Sequence, residues 1–158
     1  MLTVLTLCGG NASRSILAEA IFNRDGDGRV RAWSAGSNPA GQVHPKARSL
    51  LERRGVPTDT LRSKSWHEFA SPGAPTLDVV LVLCPTVATE AMPDWPGEPV
   101  RVTWDIDDPA SAPPGQADLA FQHTYHWLSA RINALLALPV EDMAGDELRA
   151  LMLEIGDY

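Results

Sequence analysis

The feature that most constrains the fold is the aliphatic run Val79–Leu83, which follows Asp78. A second short apolar run lies at Leu2–Leu7. Both are far shorter than the roughly 20 apolar residues that cross a membrane, and Val79–Leu83 shows no alternation with polar residues. Runs of this kind predict strands that are buried on both faces, which is typical of a parallel sheet covered by helices.

Segments with helical periodicity lie between and after these runs. Alternating strands and helices predict right-handed crossovers and therefore an α/β fold with a parallel sheet. The predicted strands are Leu2–Leu7, Val30–Ser34, Asp78–Leu83 and Val100–Trp104. The predicted helices are Ser15–Arg24, Pro45–Arg54, a short turn at Trp66–Ala70, Ala117–Leu138 and Asp146–Ile155.

Composition narrows the class of protein. A length of 158 residues suits one domain, so we expect residues 1–158 to form a single domain with a short acidic helical tail from about residue 141. A formal net charge of -7 argues against a nucleic-acid partner, because a phosphate backbone is bound by a basic surface. The apolar runs are too short to cross a membrane, so we expect no membrane partner. The first residues lack a basic leader and the chain has only two cysteines, so we expect a cytoplasmic location with free thiols.

The loop after the first predicted strand reads CGGNASRS, from Cys8 to Ser15. A loop in this position turns main-chain N–H groups and a helix N-terminus toward the carboxyl edge of the sheet, where anions bind. The two glycines let the main chain curl around a ligand, and Arg14 can hold two oxygens at once. We therefore predict that Cys8 attacks a bound tetrahedral oxyanion as a thiolate. The predicted oxyanion-binding residues are Gly9, Gly10, Asn11, Ala12, Ser13, Arg14 and Ser15.

The sequence that contains this loop resembles the low-molecular-weight protein tyrosine phosphatase superfamily. Within that superfamily it is most similar to the thiol-dependent arsenate reductases that share the fold. The resemblance covers nearly the whole chain. It implies a three-layer α/β/α fold with a four-stranded parallel sheet of order 2-1-3-4 and a phosphate-binding loop after strand 1. The matching segments are Cys8–Glu19, Ser34–Pro45, Leu61–Phe69, Pro72–Cys84, and Trp95–Gly97 through Asp108-Pro109.

The pair Asp108-Pro109 matches the general acid that this family places before a proline. An acid is needed opposite the nucleophile to protonate the departing oxygen, and Asp105 and Asp107 are alternatives for that role. Phosphotyrosine phosphatases of the family carry aromatic residues after this pair and a bulky residue on a facing loop. Here Ala110-Ser111 and the facing loop 38–41 (NPAG) offer little stacking surface, so a small oxyanion fits better than a phosphotyrosine protein.

Cys84 matches the second cysteine of these reductases. In their mechanism a second thiol attacks the sulfur of an arseno-adduct that has formed on the first cysteine. The alternative is a buried structural thiol at a strand end. The third cysteine of related reductases is replaced by Met92, which cannot form a disulfide. The resemblance therefore implies no bound cofactor but an external thiol reductant: glutathione, mycothiol, or a thioredoxin- or glutaredoxin-type protein.

Some reductases of the family bind potassium beside the loop, through residues matching Asn11, Glu19 and Ser34 and an aspartate. Lys64 stands at that aspartate, so we predict no metal and expect its ammonium to replace the ion. In that role Lys64 would pair with Glu19 and hold Asn11. Asn11 and Ser15 are expected to order the loop, with Ser15 bonded to Cys8.

Three functions remain open from the sequence. The first is an arsenate reductase in which Cys8 is the nucleophile, Arg14 the oxyanion clamp, Asp108 the general acid and Cys84 the second thiol. The second is a tyrosine phosphatase or phosphomonoesterase that acts through a phosphocysteine. The third is a non-catalytic protein that binds arsenate, phosphate or sulfate.

Overall fold

Four parallel strands form one sheet in the computed structural model, which describes residues 1–158, and across the sheet they lie in the order second, first, third and fourth along the chain. Leu7 lies opposite Ala35 on one side and Val82 on the other, so the strands end together at one edge. The predicted parallel sheet and its order are confirmed. The strands are β1 (Leu2–Cys8), β2 (Val30–Gly36), β3 (Val79–Val82) and β4 (Val100–Thr103).

The helices lie near their predicted positions. They are α1 (Arg14–Asp25), α2 (Pro45–Arg53), α3 (Pro85–Ala88), α4 (Ala117–Leu136) and α5 (Gly145–Gly156). Single 3-10 turns lie at Trp66–Phe69, Pro109–Ser111 and Val140–Asp142. The sequence did not predict α3 or the last two turns, because one turn is too short to show helical periodicity.

The two faces of the sheet are covered unequally. Leu81 and Leu83 face a core of 32 buried residues, to which α1, α2, α4 and α5 contribute. Val80 and Val82 face a second cluster of 12 buried residues, covered by the turn at Trp66 and by the segment around Trp95. This alternation explains the continuous aliphatic run, because each face of β3 is buried. The second covering layer is thin and consists of one-turn helices and connections.

The acidic C-terminal segment is anchored to the sheet. Leu148, Met152 and Ile155 of α5 are buried in the larger core, and Trp104 Nε1 donates a hydrogen bond of 2.8 Å to the Met152 carbonyl. The acidic residues of α5 thus occupy the outer face of a packed helix. No helix has both the length and the apolar character needed to span a bilayer.

Candidate active site

The Cys8–Arg14 loop leaves the carboxyl end of β1 and enters α1 at Arg14. Cys8 is 3% exposed. The end of β2 approaches the loop so closely that a Cβ on Gly36 would lie 2.5 Å from the Gly9 carbonyl oxygen. Asn11 has a φ of 45°, a left-handed conformation that asparagine tolerates better than most residues. Glycine at 36 and asparagine at 11 therefore allow the tight curl that an anion-binding loop requires.

A chain of hydrogen bonds connects the loop to Cys8. The main-chain N–H of Lys64 donates to Asn11 Oδ1 at 2.9 Å, and Asn11 Nδ2 donates to Ser15 Oγ at 2.8 Å. Ser15 Oγ lies 2.9 Å from Cys8 Sγ. Because an N–H group fixes the orientation of the Asn11 amide, Ser15 accepts from Asn11 and its own hydroxyl proton is free to point at the sulfur. The hydrogen-bond chain thus ends with a donor directed at the Cys8 sulfur.

Arg14 is held by main-chain carbonyls from two other segments. Its Nη1 donates to the carbonyl oxygens of Ile106 at 2.9 Å and Leu83 at 3.3 Å. Its Nε and Nη2 donate no hydrogen bond within the protein, although Nη2 lies 3.9 Å from Asp108 Oδ2. The guanidinium is therefore fixed across the carboxyl edge of the sheet with two nitrogen groups available to oxyanion oxygens.

Asp108 lies beside Arg14, with its Oδ2 3.9 Å from Arg14 Nη2. Its Oδ1 accepts a 3.0 Å hydrogen bond from the Ala110 N–H, at the start of the 3-10 turn. Its side chain is 38% exposed, so the carboxyl group can exchange protons with water. Asp105 and Asp107 are more exposed and form no ion pair with Arg14. The geometry therefore distinguishes Asp108 from the two neighbouring carboxylates.

Cys84 lies at the same edge of the sheet as Cys8. The Leu83 N–H donates to the Leu7 carbonyl at 2.8 Å, which continues the pairing of two strands that lie about 5 Å apart. Both sulfur-bearing residues belong to the smaller buried cluster, against which half-buried Met92 also packs. The chain thus brings its two cysteines to one edge, with no third thiol beside them.

The surroundings of Cys84 favour its thiolate. Its Sγ lies 2.9 Å from Thr86 Oγ1. Burial alone would raise the pKa of the Cys84 thiol, but the Thr86 hydroxyl, the nearby main-chain N–H groups at the start of α3 and the charge of Arg14 outweigh it. The net effect lowers the pKa of Cys84 below its ordinary value.

A buried charge cluster of Lys64, Glu19 and Ser34 adjoins the loop through the main chain of Lys64. Lys64 Nζ lies 3.8 Å from Glu19 Oε1, and Ser34 Oγ donates to the same Glu19 oxygen. Burial raises the pKa of Glu19, and the Lys64 charge and the Ser34 hydroxyl offset only part of that rise. Burial also lowers the pKa of Lys64, against the opposing effect of Glu19.

One detail of the Lys64 expectation is wrong. The ammonium donates to the Arg62 carbonyl at 2.8 Å and faces Glu19, whereas Asn11 is held by the Lys64 main-chain N–H. The side chain therefore acts on Asn11 only through the position of its own peptide group. No group of three or more His, Cys, Asp or Glu side chains is placed to hold a metal ion.

The facing loop packs against the main chain of the catalytic loop. The N–H groups of Asn38 and Ala40 donate to the carbonyls of Gly9 and Gly10, each at 2.9 Å. Ser63 Oγ donates to the Gly10 carbonyl at 3.1 Å and accepts from the Gly41 N–H at 3.1 Å. No aromatic ring lies in this loop or at Ala110 and Ser111, so these two segments offer no surface for stacking a phenyl group.

Two of the predicted oxyanion-binding residues have structural contacts in addition. The Ala12 carbonyl accepts from the His44 N–H at 2.9 Å, and the Ser13 carbonyl accepts the first helical bond, from Leu17, at 2.9 Å. The Ser13 side chain caps nothing. Sequence reasoning missed Thr86, Ser63 and the carbonyls of Leu83 and Ile106. The readable sign in this segment was Pro85, which suits the first turn of a helix, but it did not mark the contact between Thr86 and Cys84.

Comparison with known proteins agrees with this geometry. A family model described as low molecular weight phosphotyrosine protein phosphatase matches residues 3–147. A glutaredoxin arsenate reductase of Synechocystis sp. is 27% identical over 137 residues, which cover 87% of this chain and 98% of that protein. An arsenate reductase solved in the phosphate binding state has a TM-score of 0.68 and 26% identity, over 87% of this chain and 98% of its own. A low molecular weight protein tyrosine phosphatase from T. tengcongensis has the same TM-score of 0.68 and 26% identity, over 87% and 99%.

Proposed function

Because the chain belongs to the low molecular weight phosphotyrosine protein phosphatase family, we propose that it uses the oxyanion loop of that family to reduce arsenate to arsenite. The observation that carries this proposal is Cys84, a second thiol with a lowered pKa at the same sheet edge as Cys8. Hydrolysis of a phosphoester needs no second sulfur, whereas reduction needs one. The similarity to arsenate reductases over 87% of the chain supports the same conclusion.

The first step joins arsenic to Cys8. The loop N–H groups and the free nitrogens of Arg14 bind the arsenate oxygens, and the Cys8 thiolate displaces one of them. Asp108, 3.9 Å from Arg14, donates the proton with which that oxygen leaves as water. The product is an As(V) adduct with a bond between arsenic and Cys8 Sγ.

The second step transfers two electrons. The Cys84 thiolate attacks Cys8 Sγ, so that a sulfur–sulfur bond forms as the bond between sulfur and arsenic breaks. The electron pair of the broken bond stays on arsenic, which leaves as arsenite, As(III). The protein is left with a disulfide between Cys8 and Cys84.

An external thiol reductant must then restore the enzyme. The chain has only two cysteines, and Met92 takes the place of a third, so no further thiol of this chain can receive the disulfide. The name of the Synechocystis relative, a glutaredoxin arsenate reductase, supports an external thiol system. We assign Glu19, Ser34 and Lys64 a positioning role, because they fix the peptide group that orients Asn11.

The test is an arsenite assay in which glutathione, mycothiol, thioredoxin and glutaredoxin are supplied in turn. We expect thiol-dependent arsenite from the wild type and a large loss in Cys84→Ser. Any hydrolysis of p-nitrophenyl phosphate should survive that substitution, because it needs only Cys8, Arg14 and Asp108. Steady aryl-phosphate turnover with no arsenite from any donor would instead identify a phosphatase.

A further inference from the structure

A cavity of about 630 Å³ lies between the turn at Pro109–Ser111 and helix α4. We call it the α4 cavity. Its polar lining consists of three carboxylates, two hydroxyls and one imidazole, which belong to Asp105, Asp107, Asp108, Ser111, Thr124 and His123. No lysine or arginine lines it. In a chain with a net charge of -7, a concave surface with this lining attracts a cation.

Thr124 indicates a ligand in this cavity independently of the carboxylates. It is 3% exposed and lines the cavity, yet its hydroxyl forms no hydrogen bond within the protein. A helical threonine commonly bonds to the carbonyl one turn back, and a buried hydroxyl without a partner is unfavourable. The hydroxyl of Thr124 is therefore available to a polar group that enters the cavity.

The carboxylates of the α4 cavity are largely uncompensated. Asp108 accepts a hydrogen bond from the Ala110 N–H at 3.0 Å and lies 3.9 Å from Arg14. The side chains of Asp105 and Asp107 form neither a salt bridge nor a hydrogen bond within the protein. These side chains are not grouped to hold a metal ion. The cation that suits them is therefore an organic one, which brings its own N–H donors.

The remaining lining is apolar and suits an alkyl chain. Ala120 and Trp127 belong to it. The Trp127 ring is fixed before any ligand arrives, because the Arg131 guanidinium lies 3.6 Å from its centroid and Trp104 meets it edge-on, with ring centroids 6.2 Å apart. A neighbouring pocket of about 490 Å³ shares Ala120 and continues the apolar surface to Leu119, which is 70% exposed. The wall is thus preorganised for an aliphatic group.

We propose that the α4 cavity binds a primary alkylammonium ion, as a free amine or as a lysine side chain, and that the bound ion slows arsenite formation. The effect on the rate rests on the proposed arsenate reduction, whereas the binding does not. An ammonium has three donors that radiate from one nitrogen. Its acceptors come from both sides of the cavity: Asp107 and Asp108 precede the turn, and Thr124 lies on α4. This placement suits an ammonium better than the planar fork of a guanidinium.

Asp108 connects the α4 cavity with the active site, because it lines the cavity and lies beside Arg14. As the general acid, Asp108 gives a proton to the departing oxygen. A positive charge beside a carboxyl group stabilises its ionised form, so the bound ammonium makes Asp108 a poorer proton donor. Neither Cys8 nor Arg14 lines the cavity. The amine should therefore lower kcat without competing with arsenate.

The binding test is an NMR titration of the reduced protein with butylammonium and with Nα-acetyl-lysine amide. Thr124→Val removes the hydroxyl and keeps the shape of the side chain, so it should weaken binding about tenfold, whereas Thr124→Ser should retain it. Asp107→Asn should also weaken binding. Asp118→Asn is the matched control, because Asp118 lies on the same helix outside the cavity and pairs with Lys46.

Two further ligands test the chemistry of the site. Butyltrimethylammonium keeps the charge but has no N–H donor, and butan-1-ol keeps the chain but has no charge. Both should bind at least about tenfold more weakly than butylammonium. Binding of only one of the two ammonium ligands assigns the site to a free amine or to a lysine side chain. Equal binding of all four ligands, or equal affinity in wild type, Thr124→Val and Asp107→Asn, would overturn the proposal.

A kinetic measurement tests the connection to Asp108. Saturating butylammonium should lower kcat for arsenite formation about tenfold, a part of what a general acid contributes, and leave KM for arsenate unchanged. Thr124→Val should need about tenfold more amine for the same fractional loss. A rise in KM for arsenate at constant kcat would refute the action through Asp108. Binding that depends on Thr124 and Asp107 supports the cavity even if no arsenite forms, and if Thr124→Val does not fold, the exposed Asp107→Asn answers the same question.

Discussion

Replacement of Ser15 by alanine tests how the loop activates Cys8. Ser15 Oγ lies 2.9 Å from Cys8 Sγ and accepts from Asn11 at 2.8 Å, so its hydroxyl proton stabilises the thiolate in particular. The substitution removes one oxygen from a fully buried site. It leaves the loop N–H groups and Arg14 in place, so it should weaken the thiolate more than it weakens oxyanion binding.

A hydrogen bond to a charged group contributes about 1.5–3 kcal/mol. Ser15→Ala should therefore slow the alkylation of Cys8 about tenfold or more at about pH 5. The assay is the rate of iodoacetamide reaction between pH 4 and about 9, carried out in a Cys84→Ser background so that only one thiol reacts.

Ser13→Ala is the matched control for Ser15→Ala. Ser13 belongs to the same loop and is 5% exposed, yet its side chain makes no capping hydrogen bond. Its substitution should leave the alkylation profile in place. An unchanged profile in Ser15→Ala, or an equal change in both variants, would refute the role of the hydroxyl.

Three further substitutions test other parts of the site. Asp108→Asn should slow arsenite formation about 10²–10⁴-fold, the usual contribution of a general acid; an equal loss in Asp105→Asn would move the role to Asp105. Cys8→Ser should abolish arsenite formation but retain sulfate binding in a calorimetric titration, and lost binding would mean that the thiolate itself holds the anion. Lys64→Met should lower the free energy of unfolding by about 3–5 kcal/mol at pH 7, because Glu19 is left buried without its counter-ion. We expect this loss of stability, measured by urea unfolding, to shrink as the pH falls through the Glu19 pKa, which burial raises. The reason is that a protonated carboxyl needs no counter-charge. A loss of stability that does not change with pH would contradict the pairing of Lys64 with Glu19.

The part of the site that lies in one loop could be predicted from the sequence. Cys8, Arg14 and Ser15 are within eight consecutive residues, and their meaning depends on a strand before them and a helix after them. The contacts that position Arg14 could not be predicted in this way. They come from the carbonyls of Leu83 and Ile106, and every residue has a carbonyl, so no residue type marks them.

In the fold, too, features set by side-chain type could be predicted from the sequence, and contacts made by the main chain could not. The aliphatic run of β3 predicted burial on both faces, but not that one covering layer would be a set of single turns around Trp66 and Trp95. The Lys64 side chain was expected to reach Asn11, whereas the main chain does so. Sequence patterns report side-chain chemistry, and contacts made by peptide groups leave no comparable trace.

A single turnover without external thiol shows whether arsenate is reduced by electrons from Cys8 and Cys84. The reduced protein is mixed with excess arsenate, arsenite is quantified, and the intact chain is weighed by mass spectrometry. We expect one arsenite per chain and a loss of about 2 Da as the disulfide forms, with neither change in Cys84→Ser. Arsenite yield without the mass loss, or no arsenite from the wild type, would contradict it.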